Sequence, residues 1–139
     1  MASTTRLVYH LILTTRYRRP ALAGIEHDVY QAMREAEKVS SFKIIDMGIE
    51  GGNHIHMVIK ANPKYSISSY VNRIKAISQK RLWAARSIHL NKHYWGPRKK
   101  LWHGAYYCST VGKVSESKML EYVASQDGPR PTQAIHQLR

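Results

Sequence analysis

Two histidines, His54 and His56, flank a single isoleucine in the stretch GGNHIHMVIK, Gly51 to Lys60. On a strand, residues i and i+2 point to one face, with their Cα atoms about 6.5–7 Å apart. Two imidazoles so placed can chelate one metal ion, while Ile55, Met57 and Ile59 point the other way into a core. The pair alone is weak evidence, because 8 histidines in 139 residues produce about half an H-x-H pair by chance. A pair of ordinary surface histidines is the plainer alternative. A metal also needs more than two protein ligands unless a substrate or a third residue completes the site. Further along, Glu121-Tyr122-Val123-Ala124-Ser125-Gln126 sets Tyr122 and Gln126 four residues apart, on one face if the segment is helical. A phenol can act as a covalent nucleophile, and a carboxamide oxygen can serve as a neutral metal ligand. The alternative is a tyrosine packed at the edge of the core and a solvated glutamine.

The elements that must carry these residues follow from periodicity. Arg6 to Thr15 alternates Leu7, Tyr9, Leu11 and Leu13 against Val8, His10 and Ile12, which predicts a first strand covered on part of both faces. Arg16 to Pro20 is a basic turn. Ile25, Val29, Met33 and Ala36 follow helical spacing within 25–40. Phe42 to Ile49 and His54 to Ala61 are strand-like and separated by Glu50-Gly51-Gly52-Asn53, whose glycines suit a tight hairpin. A second amphipathic helix is expected from Ile67 to Arg86, a basic loop from Ser87 to Leu101, and a strand from Trp102 to Thr110. Ser115 is a plausible N-cap for a last helix, which Asp127-Gly128-Pro129 would stop. The predicted fold is α+β: a ferredoxin-like (RRM-like) β-α-β-β-α-β core, an antiparallel sheet with helices on one face, plus a C-terminal helix bearing Tyr122. Residues 1–127 are expected to form one domain, and 128–139 a tail that is mobile or docked on a partner.

The charge narrows the partner. Twenty-two Lys and Arg against 9 Asp and Glu leave a formal +13 and a pI near 10.1, the footprint of a protein that meets a polyanion. Arg16, Arg18, Arg19, Arg73, Lys75, Lys80, Arg81, Arg98, Lys99 and Lys100 are the candidate phosphate contacts. Trp83, Tyr94, Trp95 and Trp102 are candidates for stacking unpaired bases, with core packing the alternative for each. The single Cys108 excludes an internal disulfide framework and a thiolate zinc cluster, so a reducing, cytoplasmic setting is expected. The apolar run from Leu7 to Leu13 is far shorter than the ~20 residues of a membrane span. No third histidine or carboxylate follows His56 at a recognisable spacing, which argues against a zinc hydrolase.

Taken together, H-hydrophobic-H on a strand followed by Y-x-x-x-Q on a helix resembles the single-tyrosine HUH transposases of bacterial and archaeal insertion sequences, the two-hundred/six-hundred-and-five group with its REP-associated relatives. Tyr9-His10-Leu11 running into Arg16-Tyr17-Arg18-Arg19, Asn53 to Ile59, Tyr106 to Gly112 and Glu121 to Gln126 carry the resemblance. Asn53 departs from the acidic residue of many relatives, and the loop from Trp95 to Lys100 is unusually basic. The resemblance implies that His54, His56 and Gln126 hold a divalent metal, Mg2+ or Mn2+, and that Tyr122 attacks single-stranded DNA at hairpin-bearing element ends to form a 5′-phosphotyrosine. It further implies a nucleoid-associated homodimer whose active sites are shared between subunits. A non-catalytic single-stranded nucleic-acid-binding module, or a host-adapted HUH nickase, is the rival reading.

Overall fold

The structure, a computed structural model, describes residues 7–112. The predicted last helix with Tyr122 and Gln126, its Ser115 cap and the tail therefore lie outside the described residues. Four strands, β1 (Leu7–Thr15), β2 (Phe42–Glu50), β3 (His54–Ala61) and β4 (Trp102–Gly112), form one sheet in the order β2-β3-β1-β4, all neighbours antiparallel. Two helices join them: α1 (Glu26–Lys38) connects β1 to β2, and α2 (Ile67–Ala85) connects β3 to the region before β4. This is the expected ferredoxin-like α+β arrangement.

The helices form where apolar spacing demands it. In α1, Val29, Ala32, Met33 and Ala36 are buried on one stripe, and in α2, Tyr70, Val71, Ile74 and Leu82 do the same. The Ser66 hydroxyl caps α2 by accepting a hydrogen bond from the Ser69 amide at 3.1 Å, which satisfies one of the orphan N–H groups of its first turn. Both stripes pack on one face of the sheet, where Leu11, Leu13, Ile55, Met57 and Ile59 are fully buried in a single core.

One expectation needs correction. The stretch before β4 is not wholly a loop: Ser87–Leu90 forms a short helix, α3, and Leu90, Tyr94 and Leu101 are buried. These three apolar anchors have no regular period, so pattern reading misses them. The sheet face away from the helices is covered in part, as expected. Val8 and Val58 are buried there in a small separate cluster with Ile45 and Val111 packed against it. The alternation of β1 had suggested such two-sided cover, and the structure locates it.

The β2–β3 hairpin turns through Gly51 and Gly52, at φ +65° and +68°, values that glycine reaches without steric cost. Gly52 also sits tightly against the chain after β1: a Cβ there would lie 3.0 Å from the Ala23 Cβ, and its carbonyl accepts from the Leu22 amide at 2.8 Å. Hairpin and basic turn are thereby locked to one another.

Candidate active site and nucleic-acid interface

Register places the histidines. On β1, Thr14 faces His54 and Ile12 faces His56; on β2, Glu50 faces His54 and Gly48 faces His56. Since Ile55, Met57 and Ile59 fill the core, His54 and His56 share the opposite face, as the i, i+2 rule requires. His56 is buried at 5% exposure, and its Nδ1 has no hydrogen-bond partner among the described residues. Burial holds its pKa below the ordinary value, against the smaller upward pull of Asp46 and Glu50. The neutral ring keeps a lone pair for a cation.

Room for that ring comes from Gly48. A Cβ at Gly48 would stand 2.7 Å from His56 Nε2 and 3.3 Å from Cε1, closer than non-bonded atoms approach. His54 is oriented differently: its Nδ1 lies 2.9 Å from Asn53 Oδ1. With Nδ1–H donating to that carbonyl oxygen, Nε2 carries the lone pair, the outer-shell device that fixes a ligand's tautomer and ring plane. Glu50 Oε2 is 3.9 Å from His54 Nε2. Asn53, the departure noted in the sequence, thus accepts the same hydrogen bond that a carboxylate would.

Three residues of this face were not singled out in the sequence. His10 pairs with Val58 across β1 and β3, one step diagonal from His56, and is fully buried. Burial first, and His56 second, lower its pKa to about 4. Asp46 and Glu50 influence His56 from β2. The alternation of β1 could have found His10, since it breaks an otherwise apolar face. Asp46 could not be placed, because a register irregularity between Ile44 and Asp46 changes the parity of β2. Tyr107 also shares this face, paired with Ile12, while Tyr106 packs against the core. Tyr122 and Gln126 lie outside the described residues, and among the described residues no group of three His, Cys, Asp or Glu could hold a metal.

The basic candidates divide by location. Arg16, Arg19 and Arg98 line one cleft of about 360 Å3 with Tyr17, Tyr94 and Trp95, and Arg16 and Arg18 line a second with His103 and Gly104. Lys80, Lys99 and Lys100 are exposed, and Lys99 Nζ stands 4.7 Å from the centre of the Trp83 ring. Three residues on α2 are engaged within the fold. Arg73 donates to the Val39 carbonyl at 2.8 Å and to the Ser40 hydroxyl at 3.0 Å. Lys75 donates to the His103 and Gly104 carbonyls at 2.7 and 2.9 Å, and burial lowers its pKa. Arg81 pairs with Glu35 at 2.8 Å.

The aromatic candidates fare less evenly. Trp83, Tyr94 and Trp102 are buried, and Trp102 Nε1 donates to the Ser78 hydroxyl at 2.9 Å. Tyr94 nonetheless lines the cleft, and of the four candidates Trp95 is the one left in water, at 72% exposure. Tyr17, 70% exposed, joins it.

Comparison with known proteins bears on the family and the fold. The family model described as "Transposase IS200 like" matches residues 3–126. The ISDra2 transposase TnpA of Deinococcus radiodurans is 27% identical over 122 residues, covering 87% of this chain and 84% of the relative. A transposase for insertion sequence element IS200 from Salmonella typhimurium is 28% identical over 119 residues, 85% of this chain and 75% of the relative. Among solved structures, a putative transposase from Deinococcus radiodurans superposes with a TM-score of 0.70 at 25% identity, over 91% of this chain and 95% of the other. A REP-associated tyrosine transposase bound to a REP hairpin matches the fold with a TM-score of 0.55 at 14% identity, over 88% of this chain and 64% of the other.

Proposed function

The chain belongs to the IS200-like transposases, enzymes that cut and transfer the DNA of insertion sequences, and from that premise we propose that it works on single-stranded DNA at hairpin-bearing element ends through a covalent tyrosine intermediate. The observation that carries the reading is the pair His54 and His56 on one sheet face, one ring oriented by Asn53 and the other held neutral by burial.

The donor set fits a divalent cation. Two imidazoles share one face, the buried Nδ1 of His56 has no hydrogen-bond partner among the described residues, and Gly48 leaves the space that a side chain would fill. His54, His56 and Gln126 would hold Mg2+ or Mn2+. When bound, such an ion polarises a phosphate oxygen and stabilises the charge that builds at phosphorus.

Tyr122 supplies the nucleophile. Its phenol gives up its proton and its oxygen bonds to phosphorus while the bond from phosphorus to the 3′-oxygen breaks; a proton passes to the departing oxygen, which leaves as a free 3′-hydroxyl, so the proton count is unchanged. The 5′-phosphotyrosine retains the phosphodiester's energy, so attack by another 3′-hydroxyl rejoins the strand and releases Tyr122 without ATP. Arg16, Arg18, Arg19 and Arg98 track the phosphates, a salt-dependent contribution to affinity. The solved relative with a REP hairpin supports hairpin DNA as the partner class. The family resemblance supports a homodimer in which the segment beyond Gly112 can serve either subunit's histidines.

Covalent trapping tests this. Wild-type protein mixed with labelled single-stranded hairpin DNA from the element's flanks and Mg2+ or Mn2+ should give a denaturation-resistant adduct, absent with chelator and absent in Tyr122→Phe. Tight DNA binding with no adduct would reduce the protein to a binding module.

A further inference from the structure

Within this reading of the substrate, we propose that Tyr17, Arg19 and Trp95 form a clamp for one unpaired nucleobase of the single strand, beside the histidine face. The Arg19 guanidinium lies 4.6 Å from the centre of the Trp95 ring, 5.5 Å from that of Tyr17 and 6.0 Å from that of Tyr94. Tyr94 is the fixed wall: it is buried, and its hydroxyl donates to the Arg16 carbonyl at 2.9 Å. Tyr17 and Trp95 are the open walls, each about 70% exposed at 70% and 72%. Large aromatic rings left in water around a cation offer two stacking faces and a guanidinium plane, the groups on which unpaired bases rest. The cleft's about 360 Å3 is at the small end of the range of roughly 300–1,000 Å3 typical of small-ligand sites. Arg16 and Arg98 line it too, and no carboxylate among the described residues does, so a base stacked here has cations waiting for its flanking phosphates.

The backbone points the same way. Tyr17 and Arg18 are consecutive non-glycine residues in the left-handed region, at φ 59° and 53°. Such conformations cost on the order of 1–3 kcal/mol each and persist only where surrounding contacts enforce them. Enforcement is visible: the Thr15 hydroxyl donates to the Arg19 carbonyl at 2.7 Å, and the Arg16 amide donates to the Leu101 carbonyl at 2.9 Å. Yet the turn buries none of its own residues. Strain that contributes nothing to the core here holds the Tyr17 ring outward.

The clamp is tied to the histidine hairpin. The Thr15 amide donates to the Asn53 carbonyl at 2.9 Å, and Asn53 Nδ2 reaches the Arg18 carbonyl at 3.5 Å. A strand held at His54 and His56 therefore meets a turn whose position relative to the histidine hairpin is fixed.

The test measures binding without chemistry. In metal-free buffer, the affinity of a labelled unstructured DNA oligonucleotide and of its blunt duplex is measured by anisotropy across a salt series for the wild type, Tyr17→Ala, Trp95→Ala and Trp95→Phe. Each alanine variant should bind the single strand roughly tenfold more weakly, with duplex binding and the salt slope unchanged and the melting curve that of the wild type. Trp95→Phe should restore most of the affinity. Equal losses on single strand and duplex, or no loss on either, would overturn the clamp. So would tighter aromatic-dependent binding of RNA of the same sequence. Adduct formation through Tyr122 is read separately with metal, so failure of the clamp leaves the transferase reading standing, and absence of the adduct leaves the clamp standing.

Discussion

The histidine face and the basic turn lie at opposite ends of a physical scale although hydrogen bonds join them. His10 and His56 are buried, and burial holds both below the ordinary histidine pKa. Around Arg19 the rings of Tyr17 and Trp95 are exposed among cationic side chains, with Tyr94 buried behind them, on a backbone that two positive φ values strain. Rings fixed on a rigid strand suit the positioning of a reacting phosphate, where small displacements are costly. An exposed cationic and aromatic turn suits the capture of a strand whose bases vary. The two regions thus occupy different solvent environments, and the hairpin residues Gly52 and Asn53 tie them together; on the proposed reading the first positions the phosphate and the second captures the strand.

Substitutions can break that division. The largest effect is expected for His56→Ala: removing one ligand should lower strand cleavage by roughly 10²–10⁴-fold, the several kcal/mol that a metal contributes at phosphorus. DNA affinity in metal-free buffer should be unchanged; an equal loss of binding would show that the two regions are not separable. Next comes Gly48→Ala. Its Cβ would meet His56 Nε2 at 2.7 Å, so cleavage should drop about 10–100-fold, the range found when support of a ligand is lost. Retained melting temperature would assign the loss to the displaced ring.

A pH series sharpens the electrostatic half. His10 titrates near 6.5 when unfolded and at about 4 when folded. Between those values the unfolded chain binds the extra proton, so the contribution to stability is complete above about pH 6.5 and is lost as pH falls toward 4. The melting temperature should decline over that window, less steeply in His10→Gln; an identical decline would remove His10 from the account. The smallest effect belongs to Arg98→Ala, which should weaken DNA binding of every sequence alike and reduce the salt slope by about one. A sequence-selective loss would mean that Arg98 reads bases.

Much of the architecture was legible because it rests on local pattern. The apolar alternation of Leu7 to Leu13, the 3.6-residue spacing of Val29, Met33 and Ala36, and the glycines at 51 and 52 each specify an element whose bounds the structure reproduces within about two residues. His54 and His56 were legible for the same reason, since a period of two needs no partner strand. What depends on pairing was not. Gly48 faces His56 only once β2 and β3 are in register, and a bulge near Asp46 shifts that register. Trp83 and Trp102 resemble Trp95 in composition, but tertiary packing buries the first two and leaves the third in water. Tyr17 escaped notice because its exposure follows from backbone angles that no residue type announces.

Whether His54 and His56 form a metal site on the sheet face is read from Mn2+ binding by electron paramagnetic resonance. With non-cleavable single-stranded DNA present, wild-type protein should quench the free-ion signal at one Mn2+ per chain, and His56→Ala and His54→Ala should each abolish that stoichiometric site. Unaltered Mn2+ binding in both variants would mean that the histidines hold no metal.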